Sequence, residues 1–147
     1  MNSHNRIASL HNPGPDGADW FARLVSAIAP ACLVVDPARD RIVAANDAAE
    51  RLFETAPLAG QSFAALHRAS VPDLVVFAEE VIYRGHAWTR RLEGRGRDGG
   101  PLALEYEAAA CETAEGTHLV LVAADLGERA LRDKREVADG VVHAGLL

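Results

Sequence analysis

Six histidines, two cysteines and a few clusters of carboxylates and arginines are the residues of this chain that could carry chemistry. Histidine titrates near physiological pH, and a buried acid–base pair is what a small α+β enzyme would need. His4 and His11 fall in an aperiodic leader and His118 beside a turn, and all three read as solvated. His67 and His86 flank a helical segment and read as partly exposed. His143 is followed by Ala144, not by the acidic residue that usually follows a phosphoacceptor histidine, and reads as a plain helix-end residue. Glu79-Glu80 and the Glu105/Glu107 pair lie on amphipathic elements with spacing that points them outward. Arg90, Arg91, Arg95 and Arg97 form a basic stretch. Its plain account is cross-strand pairing with Glu105 and Glu107; the sharper one is contact with an acidic partner. There is no G-x-S-x-G, phosphate-cradling glycine loop, C-x-x-C or H-E-x-x-H. The inner face expected below offers Tyr106 as its sole acid–base group, so neither catalysis nor a metal site is expected.

Something must position these residues, and the chain divides into elements of known period. Its 147 residues suit one domain with one core. Apolar residues make up 49% and charged residues 24%, a globular composition. The net charge of −6 argues against direct nucleic-acid binding, which needs a basic face. No apolar run approaches the roughly 18 residues of a membrane span, and no secretory h-region opens the chain. With two cysteines at unrelated positions, a cytoplasmic, reducing setting is expected.

Residues 1–18 read as a flexible leader. Asp19 reads as the cap of a helix whose apolar stripe is Trp20, Phe21, Leu24, Val25 and Ile28, ended by Pro30. Cys32–Val35 reads as a strand, Asp36–Asp40 as a turn, and Ile42–Ala45 as a second strand. Asn46 caps a helix over Asp47–Phe53, closed by Pro57 and Gly60. Asn46→Ala should therefore cost about 0.5–2 kcal/mol. Phe63–His67 is a short helical turn and Asp73–Arg84 a longer helix stopped by Gly85. Ala87–Arg95 alternates as a strand, with Trp88, Arg90 and Leu92 on one side. Asp98-Gly99-Gly100 turns the chain into Leu102–Cys111, and His118–Ala124 is the most apolar strand, expected at the centre of the sheet. Asp125–Val142 reads as a final helix, with Leu126, Ala130, Val137 and Val141, plus Leu131 and Ala138, as a seam that Gly140 weakens. The apolar ending V-V-H-A-G-L-L suggests that the natural chain continues beyond Leu147.

Three segments in this order carry a resemblance. A-N-D-A-A-E-R-L-F (Ala45–Phe53), D-G-G-P-L-A-L-E (Asp98–Glu105) and V-A-A-D-L-G-E-R (Val122–Arg129) resemble the PAS domain family over about residues 20–130. Glu54 stands where the family often has Gly, and Gly127 where it often has Thr. The fold implied is α+β: a five-stranded antiparallel sheet of order 2-1-5-4-3, a helical insertion after strand 2, an N-terminal amphipathic helix and a C-terminal exit helix. The domain proper is 19–125, and 126–147 a signalling or linker helix.

The function implied is a sensory and dimerisation module of a signal-transduction or transcription-regulatory protein, acting as a homodimer on a downstream output domain or partner. A cavity holding a small apolar ligand would be lined by Leu33, Val35, Ile42, Phe53, Phe63, Leu66, Phe77, Val81, Leu104, Tyr106, Leu119 and Leu121; the plainer account of the same residues is a packed core. Trp20, Phe21, Leu24, Val25 and Ile28 would form the dimer contact, because so small a domain has little core to cover that stripe. Asp125, Glu128 and Arg129 would relay a shift of the sheet to the exit helix. The alternatives are a flavin- or haem-binding sensor of this family, or a small α+β enzyme.

No cofactor is expected. Haem-binding members place their iron ligand about three turns before the closing glycine of the long helix, where this chain has Leu74 and Val75. Light-sensing members carry a reactive Cys in G-x-N-C-R-F-L, and Phe63 occupies that place in Gly60-Gln61-Ser62-Phe63. The implied strand order also bears on the thiols. It sets Cys32 and Cys111 two strand spacings apart, about 9.6 Å, beyond the roughly 7 Å that a disulfide bridges.

Overall fold

The computed structural model describes residues 17–28, 30–96, 99–128 and 130–135. The elements are α1 (Gly17–Ala27), β1 (Ala31–Asp36), β2 (Arg41–Ala45), α2 (Asp47–Phe53), a 3-10 helix (Ala65–Ser70), α3 (Val71–Arg84), β3 (His86–Arg95), β4 (Pro101–Thr113) and β5 (Gly116–Asp125). Residues 126–128 and 130–135 are helical and begin the exit helix. Expectations resting on residues 1–16, Arg97, Asp98, Arg129 and 136–147, with His4, His11, Val137, Gly140, Val141 and His143 among them, lie outside the described residues.

The five strands form one antiparallel sheet of order β2-β1-β5-β4-β3. The most apolar strands take the middle. β1 is buried along its whole length, and β5 carries the buried run His118–Leu121. A strand covered on both faces needs apolar residues at both parities. Here Leu33 and Val35 face one layer while Cys32 and Val34 face the other.

The inner layer is α2, the 3-10 helix and α3, whose Phe53, Leu74, Phe77 and Val81 close one core cluster over the sheet. The outer layer is α1. Its stripe is covered by the chain's own sheet: Phe21, Val25 and Ile28 are buried against Cys32, Val34, Ala44, Cys111 and Val120, with Trp20 and Leu24 partly buried at the margin. Burial of each such side chain is worth about 1.5–3 kcal/mol. The premise of an uncovered stripe is thus corrected: the sheet has a second apolar face, and α1 roofs it. Nor is Asp19 the cap. The helix begins at Gly17, and Asp19 lies in its first turn, where a carboxylate offsets the positive end of the helix dipole.

The β1–β2 turn does more than reverse the chain. Asp36 Oδ1 accepts from the backbone N–H groups of Ala38 (3.1 Å) and Arg39 (3.3 Å). Asp40, at φ 51°, accepts from the Ala64 N–H at 2.9 Å and from the Ser62 hydroxyl, so the turn holds the start of the helical insertion.

The expected alternation along β3 does not hold. The β3–β4 register slips between Thr89 and Leu92. Ala87 is buried on the inner face before the slip, and Leu92 and Gly94 are buried after it, while Trp88 stays 52% exposed. An inserted residue changes the parity of everything beyond it, so Trp88 and Leu92 do not share a face.

Gly94 is where β3 meets the insertion. A Cβ there would lie 3.0 Å from Leu104 Cδ1 and 3.2 Å from Phe53 Cε1, both in the packed core. Gly94→Ala is expected to cost about 1–3 kcal/mol through overpacking, read as a lower denaturant midpoint at unchanged slope. An unchanged midpoint would mean that the contact relaxes freely.

Cys32 and Cys111 form no disulfide and are buried, two strands apart, as the strand order requires. Burial pushes the Cys32 thiol up to about 12 and raises that of Cys111, with Glu112 adding to the latter. Both should resist thiol reagents at pH 8 in the native protein and react as two in denaturant, since the thiolate is the reactive form. Rapid native labelling of either would contradict this burial.

Candidate functional site

Phe63 and His67 lie one helical turn apart, at the point where the insertion bends onto the sheet. His67 departs from helical geometry (φ −127°, ψ 35°) inside the 3-10 segment, and its ring enters the core. Its Nδ1 lies 2.8 Å from the Phe63 carbonyl oxygen, which can only accept, so Nδ1 carries the proton. The lone pair of Nε2 then accepts the hydroxyl of Tyr106, also at 2.8 Å. Each polar atom of the pair is satisfied while the imidazole is neutral. Protonation would make Nε2 the donor and the Tyr106 oxygen the acceptor, turning the hydroxyl proton away into the apolar core.

The surroundings hold that state. His67 and Tyr106 are both at 0% exposure. Phe63 lies 4.5 Å from the imidazole centroid, and Phe53 meets it edge-on at 5.9 Å. Phe77 stacks on Tyr106 at 6.5 Å. Burial pulls His67 below its ordinary 6.5, against the opposing pull of the Phe63 carbonyl and Asp40. Burial raises Tyr106 well above its ordinary 10.0.

The residues expected around a ligand cavity do come together. Leu33, Val35, Ile42, Phe53, Phe63, Phe77, Val81, Leu104, Tyr106, Leu119 and Leu121 share one buried cluster, and Leu66 packs at its margin. His67 is the member that sequence reasoning placed wrongly, as partly exposed; the kink turns it inward. The four-residue spacing from Phe63 was a signal that could have found it. His118, read as solvated, is 2% exposed, because α1 lays Phe21 over it at 5.0 Å. His86 is half-buried, in keeping with its reading.

A second locus lies where the sheet hands over to the exit helix. Asp125 Oδ1 accepts from the N–H groups of Gly127 (2.8 Å) and Glu128 (3.2 Å), capping that helix. Asp125, Glu128, Arg132, Arg51, Leu52 and Ala31 border an open groove of about 740 Å³, and Glu128 faces Arg132 at 3.8 Å. Two of the three expected relay residues, Asp125 and Glu128, are therefore adjacent. The groove reaches Pro30, whose carbonyl is held by Asn46. Asn46 Nδ2 donates to the carbonyls of Val25, Ile28 and Pro30 at 2.8–3.0 Å. Its Oδ1 accepts from the N–H groups of Cys32 (3.0 Å) and Ala49 (2.9 Å). The expected cap bond is the last of these; the others tie α1, β1 and α2 into one joint.

On the sheet's outer face, Arg90 Nε donates to Glu105 Oε2 at 2.7 Å and its guanidinium lies 5.5 Å from the Trp88 ring. That is the cross-strand pairing expected of the basic strand. Among the described residues no cluster of His, Cys, Asp or Glu could hold a metal ion, and no helix is long and apolar enough to cross a membrane. The positions where the resemblance would put cofactor chemistry do not fit it. Leu74 and Val75 have no ligating atom, Phe63 has no thiol, and both cysteines belong to the outer-face cluster or pack beside α1.

No protein-family model matches the chain, and no curated protein matches it. Solved structures do. A PAS domain of a two-component sensor histidine kinase superposes with a TM-score of 0.59 at 15% identity, over 73% of this chain and 94% of that chain. The PAS domain of nitrogen regulation protein NR(II) from Vibrio parahaemolyticus gives 0.55 at 20% identity, over 71% of this chain and 95% of that one. An RNA-binding light-oxygen-voltage receptor gives 0.56 at 25% identity, over 83% of this chain and 36% of that one.

Proposed function

We propose that this chain, which has the PAS fold, is a sensory and dimerisation module of a signal-transduction or transcription-regulatory protein, without catalysis of its own. Its input is registered at the His67–Tyr106 pair and its output leaves along the exit helix. The observation that carries the reading is the buried, mutually satisfied pair at the seam between insertion and sheet. A change that breaks this hydrogen bond leaves polar atoms in an apolar core, which favours a rearranged seam. Tyr106 pairs directly with Ala123 of β5, and β5 ends at Asp125, the cap of the exit helix. A shift in β4 and β5 therefore reaches the groove without an intermediary. A small apolar ligand, if it enters this core, does so by parting the insertion from the sheet at Phe63 and Phe77.

The partner is a second copy of the chain. Phe21, Val25 and Ile28 anchor α1 to its own sheet, and Trp20 and Leu24 are the part of the stripe left for a two-fold contact. A cytoplasmic setting agrees with two buried thiols that form no disulfide. The enzymatic reading now has its acid–base pair, yet both groups are at 0% exposure and hydrogen-bonded to each other, so neither faces a site open to a substrate.

Hydrogen exchange tests the relay. Tyr106→Phe should alter amide exchange at 125–132 beyond what its loss of global stability explains; a change confined to the neighbours of residue 106 would remove the relay. Light scattering should give a dimer that Trp20→Glu with Leu24→Glu weakens, and a monomeric wild type would remove the dimer. A Soret or flavin band in the purified protein would replace this reading with the cofactor-binding one.

A further inference from the structure

α3 is apolar on two opposite sides. Leu74, Phe77 and Val81 face the core. At 3.6 residues per turn, Pro72, Val75, Val76, Glu79, Ile82 and Tyr83 lie on the side turned away from it, and all six are exposed. A helix that borders water carries polar residues on its outer side, whereas one that is apolar all round is covered. Tyr83 is 91% exposed, and of the six large apolar side chains exposed among the described residues, four are on this face. Single apolar residues scattered over a surface are ordinary; a contiguous patch marks a contact.

Shape and spacing point to a helix as the occupant. Val75 and Ile82 are seven residues apart, as are Val76 and Tyr83, so each pair recurs after about two turns of one face. Such rows form ridges, and the ridges of a second helix fit between them. A strand would need open backbone groups to pair with, and those of α3 are spent within the helix.

Charge decides which helix. Glu79 stands between the two pairs and makes no ion pair among the described residues, while its neighbour Glu80 holds Arg84 at 3.0 Å. A second α3 packed about the middle of the stripe would set Glu79 against Glu79, and an anionic lipid surface or a nucleic acid would also meet it with like charge. The net charge of −6 adds the same preference at long range. We propose that this face of α3 docks an amphipathic helix of a partner protein. Apolar residues of that helix, one heptad apart, pack on the two pairs, and an arginine or lysine between them meets Glu79. On the inner side of α3, Phe77 stacks on Tyr106 at 6.5 Å, so the partner lies against the element that closes the core pair. The site goes beyond the sensory reading and does not rest on it.

The probe is a capped, alanine-based helical peptide of about 18 residues, with two pairs of leucines one heptad apart and a single arginine midway between them. Its comparator carries glutamate at the arginine's place. Each is titrated into the isotope-labelled full chain and followed by amide resonances. Saturable shifts are expected at residues 75–83, with the arginine peptide binding at least about tenfold more tightly than the glutamate peptide. Glu79→Arg should reverse that order while leaving the resonances of the sheet in place, and Val76→Asp should weaken both peptides at least about tenfold. Absence of saturable shifts on α3, equal binding of the two peptides, or an order unchanged by Glu79→Arg overturns the site. Shifts at residues 75–83 on concentrating the chain alone would overturn it by assigning the face to a second copy, and displacement of the peptide by phosphatidylserine vesicles by assigning it to a membrane.

Discussion

Asn46→Ala is expected to lower the free energy of unfolding by about 3–4 kcal/mol, well above the loss of a helix cap alone. The side chain is 8% exposed and makes five hydrogen bonds, to Val25, Ile28, Pro30, Cys32 and Ala49. Alanine leaves the Ile28 and Pro30 carbonyls and two N–H groups short of a partner, while the Val25 carbonyl keeps the Ile28 N–H at 3.3 Å, and only those that water can reach recover one. Asn46→Asp separates this from capping. It keeps the acceptor for Ala49 but sets a negative charge against three carbonyl oxygens at the negative end of α1. It should therefore be at least as damaging as alanine, although aspartate is as good a cap as asparagine in an exposed helix. Denaturant unfolding of both variants decides; an aspartate variant as stable as wild type would reduce Asn46 to a cap.

The second large effect concerns the core pair and appears as non-additivity. Tyr106→Phe should cost about 1–2 kcal/mol, because it leaves the His67 Nε2 lone pair unsatisfied. His67→Leu should cost about 2–4 kcal/mol, since it strands both the Tyr106 hydroxyl and the Phe63 carbonyl. The double variant should cost clearly less than the sum, as it removes both ends of one bond. Additive losses would show that the two rings share the core without being coupled.

The pair also sets a pH window. His67 is held below its ordinary 6.5 in the folded chain, so below that pH the unfolded state binds a proton that the folded state does not. Stability should fall as pH drops through 6.5, by up to about 1.4 kcal/mol per pH unit from this group, until the folded-state pKa is passed. Tyr106 is held above 10.0, so the unfolded state loses a proton first and stability should fall again as pH rises past that value. His67→Leu should flatten the acid limb measured relative to wild type. An unchanged acid limb would mean that His67 is solvated or already charged.

What sequence could show here was set by the distance over which each feature is determined. Asn46 was legible as a cap because the Ala49 N–H is three residues away; its carbonyl partners Val25, Ile28 and Pro30 lie 16–21 residues back and leave no local trace. Strand identities followed from period and turn residues, but their order came from resemblance, since nothing in β1 names β5 as its neighbour. His67 sits in the sequence Leu-His-Arg-Ala, whose polarity suggests a surface, and only a backbone kink reverses that. His118 was misplaced because the residue that buries it, Phe21, belongs to a helix near the other end of the chain. In β3 the inserted residue at the register slip is invisible to any rule that assumes strict alternation.

That slip bears on what the sheet can join. An edge strand is an open template to which another chain can add, and such addition leads to aggregates. β3 forms one edge of this sheet, and its regular ladder is broken near Arg90 and Arg91, two charged residues at the point of irregularity. β2 forms the other edge, is five residues long, and spends the backbone N–H and carbonyl of Ile42 on Gln61 and Gly60. Neither margin offers a long, straight row of ladder groups, so both disfavour strand-by-strand growth into fibres.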